Sequence, residues 1–245
     1  GDGTPFSYDY VRESGKRGGI GAHLIGIVAE GNPGRLYLSP TPEHIQAAKV
    51  NAGDAGIIGE IATNPRWFSP PAYGMREFSD LFTNRQLVAL TTLSDLVSEA
   101  RSKVLEDALA AGISAGERLE DGGSGAEAYA DAVATYLALG VSRTADYNNA
   151  LCTWHTTRDT VTHLFTRQAI PMTWDYIETN VLSNSSGNFL GQLKIVAKVI
   201  QRLPAEINGE VKQISATSRD YADLVVSTDP PYYDNIGYSD LSDFF

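Results

Sequence analysis

Asp223-Leu-Val-Val-Ser-Thr-Asp-Pro-Pro-Tyr-Tyr233 decides how this chain is read. Leu224, Val225 and Val226 form a short, unbroken apolar run, the pattern of a strand buried on both faces of a parallel sheet. Asp229, Pro230, Pro231 and Tyr232 follow almost at once. In open α/β sheets, ligands bind just beyond the carboxyl ends of the strands. Two prolines hold the backbone extended and keep the Pro230 carbonyl out of any helix. A carboxylate, a free carbonyl and a flat tyrosine ring together suit an exocyclic amino group on a planar base. The competing reading is a proline turn with a buried tyrosine, and the position after an apolar strand favours the site.

Working outward, Glu210-Val-Lys-Gln-Ile-Ser215 reads as a second strand. Before it, a helix is expected over 189–203, with Leu190, Leu193, Val196, Val199, Ile200 and Leu203 inward and Pro204 as its stop. Asn184-Ser-Ser-Gly-Asn188 either caps that helix or cradles an anion with backbone N–H groups, and capping is preferred. A short helix is expected over 158–169, ending at Pro171. Thr83-Asn-Arg-Gln86 and Ser124-Gly-Ala-Glu127 match capping boxes that open two long helices. The first buries Leu87, Leu90, Leu93, Val97, Ala100, Val104 and Ala108 and ends at Gly112. The second presents Tyr129, Val133, Tyr136, Leu137, Val141 and Ala145. Residues 112–125 between them read as a flexible loop or boundary. Nearer the start, Ala22–Ala29 and Arg35–Leu38 read as a hairpin, and Thr41-Pro42-Glu43 opens a short helix to about Val50. The loop 51–74 packs aromatics between prolines in Asn64-Pro-Arg-Trp-Phe-Ser-Pro-Pro-Ala-Tyr-Gly74, so it is expected to be pinned to a surface. The fold class is therefore α/β, a helix-rich region beside part of a sheet. Its regions are 1–74, 75–188 and 189–245, the last carrying the motif.

Charge and cysteine usage narrow the function classes. Nineteen Lys and Arg against 30 Asp and Glu leave a net charge of −11, which excludes a simple basic nucleic-acid binder but not an enzyme whose basic groove lies on another segment. The single cysteine, Cys152, excludes an internal disulfide framework and a cysteine-based zinc site within the chain, and fits a reducing cytoplasm. No apolar run reaches the roughly 18 residues of a membrane span. The start lacks a signal-peptide pattern, and the aromatic end Leu241-Ser-Asp-Phe-Phe245 reads as a cut within a longer protein.

At Asp229-Pro-Pro-Tyr232 the chain resembles the amino-group DNA methyltransferases that use S-adenosylmethionine. The longer stretch Thr228–Ile236 resembles the large adenine-specific members that carry a zinc ribbon. Arg35–His44, Asn64–Pro71, Leu81–Gln86, Ala145–Asn148, Cys152–His155 and Asn184–Asn188 look like that family's middle region. The resemblance implies a Rossmann-like sheet, S-adenosylmethionine as cofactor and duplex DNA as partner. It implies Asp229, Pro230, Pro231 and Tyr232 as catalytic residues acting on the N6 of a flipped adenine. Tyr232, Tyr233 and Asn235 would lie against the substrate, with Asp229 and Ser215 toward the cofactor and no metal. The family's glycine-rich cofactor loop and zinc-ribbon cysteines are absent, and Ser215-Ala-Thr217 stands where an acid usually meets the cofactor adenine. Both missing features are expected upstream of Gly1 and further strands downstream of Phe245, so this chain alone is expected to be inactive. The alternatives are a non-catalytic helical module that binds DNA or a partner, or a methylase of cytosine N4, RNA guanine or protein glutamine.

Other residues have weaker readings. Cys152-Thr-Trp-His155 could serve as a ligand or nucleophile pair, though packing is the commoner role. Trp154, Trp174 and Tyr176 could stack bases, though such aromatics are usually core. Arg12, Lys16 and Arg17 could touch phosphates, though a solvated basic loop is the simpler account.

Overall fold

The computed structural model describes residues 5–204, 209, 211–230, 233 and 235–245. Ser7 caps a first helix, α1 (Tyr8–Lys16), through its side chain on the Tyr10 N–H. Strands β1 (Ile27–Glu30) and β2 (Arg35–Leu38) pair antiparallel, Ile27 facing Leu38 and Glu30 facing Arg35. Helix α2 (Pro42–Ala47) starts on the Thr41 cap with Pro42 in its first turn. Helix α3 (Asn84–Ala110) opens with the expected capping box of Thr83 and Gln86. Gly112, at φ +86°, turns the chain out of it. Helix α4 (Ala126–Tyr147) packs against α3, and Leu87, Leu90 and Leu93 are buried. Full burial of such a side chain contributes about 1.5–3 kcal/mol. Strands β3 (Thr153–His155) and β4 (Thr160–Thr162) form a second antiparallel hairpin. Helix α5 (Phe189–Ile200) packs on α4, and the short α6 (Tyr238–Ser242) lies near the end.

The main core lies beside the long helices. Phe68, Leu81 and Ile170 are fully covered there, with Trp67, Phe78, Leu151 and Leu164 around them. Leu241 and Phe244 enter the same core from the C-terminal segment. The proline-rich loop is thus pinned as expected, through Trp67, Phe68 and Pro70. It is zipped to residues 169–172 by Ile170 N–H on Trp67 O at 2.7 Å and Ser69 N–H on Ile170 O at 3.2 Å.

Several expectations are corrected. Residues 158–169 are not a helix: Arg158 N–H closes a turn on His155 O, Asp159 takes φ 49°, and the Thr-rich run pairs as β4. Threonine and valine favour that pleated pairing. Ser124 does not cap α4. The carbonyls of Ser114 and Ala115 accept from Ala126 and Glu127 N–H at 2.8 and 3.0 Å, while Glu127 reaches Arg101. The 112–125 connection is correspondingly fastened: buried Asp131 accepts from Arg118 and from Leu119 N–H. Tyr129 and Tyr136 are exposed, because α4 turns Ala126, Ala130, Gly140 and Thr144 inward instead. On α5, which ends at Ile200, Leu190, Val199 and Ile200 are exposed, as is Leu203 beyond it, whereas Gln192 is buried.

The largest correction concerns the sheet. Residues 211–215 and 223–227 form no strand, and Leu224, Val225 and Val226 are all exposed. Asp223 takes a left-handed φ of 59°, which turns the chain where a strand would begin. An apolar run becomes a strand only when neighbouring strands complete its ladder. Among the described residues no such neighbours exist, so the two hairpins are the only sheets there. The molecule is mixed α/β without a Rossmann-like sheet in its described part.

Candidate functional site

The described motif residues are presented to solvent. Asp229 and Pro230 are exposed, and Asp229 has no hydrogen-bonding partner among the described residues. Tyr233 is fully exposed and holds a left-handed φ of 56°. The positions assigned to Pro231 and Tyr232 lie outside the described residues. Ser215, expected toward the cofactor, is exposed and engaged locally, its hydroxyl 3.0 Å from Thr217 Oγ1 at the start of a tight turn.

Among the described motif residues, Asn235 has its side chain tied to the fold. Its Oδ1 accepts from Arg66 Nη2 at 2.6 Å, a contact between residues 169 positions apart. Ile236 then packs on the core and α6 follows. The local sequence explains this anchorage. Gly237 lies so close to the Trp67 ring that a Cβ there would stand 3.3 Å from it, and Leu241 and Phe244 are buried just beyond.

Asn235 lines one end of a cleft of about 440 Å³. Its walls are residues 65–69 and 167–171, the two segments zipped around Ile170. Arg66 and Arg167 line this space, and no carboxylate among the described residues does. The Arg66 guanidinium also lies over the Trp67 ring, 5.5 Å from its centre. A cation beside an aromatic face, with amide and hydroxyl groups nearby, is suited to anionic or polar planar ligands.

A second cleft, of about 450 Å³, lies between the two hairpins and the 178–186 segment, with Trp154, Glu30, Arg35 and Asn184 among its lining residues. It contains none of the described motif residues, so Asn184 and Asp229 are not brought into one pocket. Asn188 caps α5 through Gly191 N–H at 2.7 Å, as preferred.

The weaker candidates resolve into structural roles. Arg12 and Lys16 pair with Asp9 and Glu13 along α1, and Arg17 reaches Glu13 O. Trp174 is half-exposed and meets Tyr73 edge-on, while Trp154 meets Tyr37 edge-on. Cys152 is wholly buried beside Asp146 O, and burial pushes its thiol up to about 12. That disposes of a reactive nucleophile, which needs an accessible thiolate. His155 contacts Thr157 instead. Among the described residues no group of three His, Cys, Asp or Glu side chains is placed to hold a metal ion.

Sequence reasoning missed the two cleft arginines as a pair. Arg66 stood inside a quoted stretch, but Arg167 lay in a segment read as helix, and only the bridge to Phe68 brings them together. It also missed Asp146, buried under β4, whose carboxylate accepts from Phe165 N–H at 3.0 Å and lies 2.9 Å from His163 Nδ1. No helix of the described residues is long and apolar enough to cross a membrane. Comparison with known proteins yields no matching family model, curated protein or solved structure.

Proposed function

We propose that this chain carries the amine-binding motif of an S-adenosylmethionine-dependent DNA methyltransferase acting on adenine N6. The observation that carries the reading is the Thr228–Ile236 stretch itself, with Asp229 exposed and without a partner among the described residues and with Asn235 fastened at the rim of a cationic cleft. The Asp229 carboxylate and the Pro230 carbonyl accept the two N–H bonds of the target amine. That orients its lone pair away from the ring, and the Tyr232 ring stacks on the extruded base. Charge-assisted bonds of this kind contribute about 1.5–3 kcal/mol.

The described residues do not fit the cofactor. Ser215 is engaged in its own turn, residues 223–227 lie outside any sheet, and no glycine-rich loop precedes a strand. In this reading a Rossmann-like sheet and the cofactor pocket come from other parts of a larger cytoplasmic protein, and the chain alone transfers no methyl group. The sheet-free setting of the motif favours one second reading, a non-catalytic module that binds nucleic acid.

The test is Asp229→Ala in the protein that contains this chain, with methyl transfer to duplex DNA and melting temperature measured together. A loss of about 100-fold or more in rate is expected, because misplacement of the reacting amine adds to the lost bond. The exposed position predicts an unchanged melting temperature. Tyr232→Ala is expected to weaken base binding by about 1–3 kcal/mol. Near-normal transfer by the Asp229→Ala protein sinks the catalytic assignment.

A further inference from the structure

The cleft between residues 65–69 and 167–171 carries two arginines in an acidic chain. Net charge is −11, yet Arg66 and Arg167 line this concavity and no carboxylate among the described residues does. Arg85, Arg101 and Arg118 are each paired with acids. Arg66 instead has a neutral acceptor, the Asn235 carbonyl, and Arg167 has no ion-pair partner among the described residues. Ser69 Oγ accepts from Met172 N–H at 2.6 Å, which leaves the hydroxyl hydrogen available to donate. Guanidinium forks match the oxygens of a phosphate.

We propose that this cleft is a phosphate-binding site that takes a phosphodiester of a nucleic-acid strand on Arg167 and Arg66. The choice of carrier rests on the nucleic-acid reading of the motif; the charge arrangement stands without it. A space of about 440 Å³ exceeds what a lone phosphate fills and accommodates a nucleotide-sized group. A phosphate oxygen is a stronger acceptor for Arg66 than the Asn235 amide, since charge-assisted bonds are roughly twice as strong as neutral ones. A phosphate that takes the Nη2 N–H of Arg66 displaces Asn235 Oδ1 and frees that side chain, while Ile236 still holds the following segment on the core. Strand contact and the Asn235 side chain are coupled through Arg66.

Trp67, packed under Arg66 and against Gly237, is the reporter. In the 245-residue chain carrying Trp154→Phe and Trp174→Phe, Trp67 emission is followed against a short single-stranded DNA and, separately, against inorganic phosphate. The oligonucleotide is expected to give a saturable change that weakens with salt. Arg167→Gln is expected to weaken it about tenfold or more, with an unchanged melting temperature because Arg167 is exposed. Asn235→Ala removes the competing acceptor and is expected to tighten binding, a direction that misfolding does not produce. Unaltered affinity in Arg167→Gln overturns the site, and inorganic phosphate binding as tightly as the oligonucleotide overturns the phosphodiester assignment. Neither readout uses methyl transfer. A chain that binds DNA here while the whole protein methylates nothing leaves the site standing and removes only the methyltransferase reading.

Discussion

Cys152 shows how burial decides a residue's chemistry. Its neighbours in sequence, Trp154 and His155, suggested a site, but the thiol is enclosed and its ionisation is suppressed chiefly by desolvation. Native protein at pH 8 is therefore expected to resist a thiol-specific reagent such as DTNB, with one equivalent reacting after denaturation in guanidinium. Rapid reaction of the native protein would show that the pocket opens. The sign of the shift also matters for stability. The folded thiol titrates at about 12 against an ordinary 9.0, so its contribution is intact below pH 9 and is lost as pH climbs toward the folded value.

At the scale of elements, close backbone approach fixes how the N-terminal helix sits. Gly15 of α1 faces Tyr73, and a Cβ at Gly15 would stand 2.2 Å from the Tyr73 carbonyl oxygen. Gly74, at φ +96°, meets α1 from the other side, where a Cβ would be 2.4 Å from Gly15 O. Backbone cannot rotate away as a side chain can, so Gly15→Ala is expected to separate α1 from the 70–74 turn. Overpacking of this kind costs about 1–3 kcal/mol. Hydrogen exchange should show lost protection confined to α1, and unchanged protection there would refute the packing account. The Ser7 cap and the Asp9–Arg12 and Glu13–Lys16 spacings are local helix signals, overlooked because Arg12, Lys16 and Arg17 read as a solvated basic loop.

For the molecule as a whole, the segment after the motif is part of the core rather than a tail. Phe244 is buried between Phe82 and Phe165, stacking on the first at 5.6 Å and meeting the second edge-on at 5.3 Å. Phe244→Ala is expected to destabilise the fold by about 3–5 kcal/mol, the range for emptying a core aromatic site. A melting temperature lowered by several degrees, together with faster proteolysis between residues 228 and 240, is the expected pattern. A neutral substitution would mean that the end of the chain is not held as described. The same anchorage explains why Asn235 sits at the cleft while Asp229, six residues upstream, has no hydrogen-bonding partner among the described residues.

Some features follow from local sequence alone. The Thr83–Gln86 capping box, the Thr41-Pro42 helix start, the turn at Gly112, the β1–β2 hairpin and the Asn188 cap all rest on interactions within a few residues. Tertiary structure decided the rest. Helix α4 takes its N-terminal acceptors from carbonyls a dozen residues away, where Ser124 had looked sufficient. The 153–162 hairpin replaced a helix, and the apolar run 224–226 stayed outside any sheet for want of partner strands. Arg66, Arg167 and Asn235 share a cleft only because Phe68, Ile170 and Leu241 share a core. Hydrogen bonds between near neighbours can be read from spacing. Burial depends on which distant segments arrive, and spacing carries no record of that.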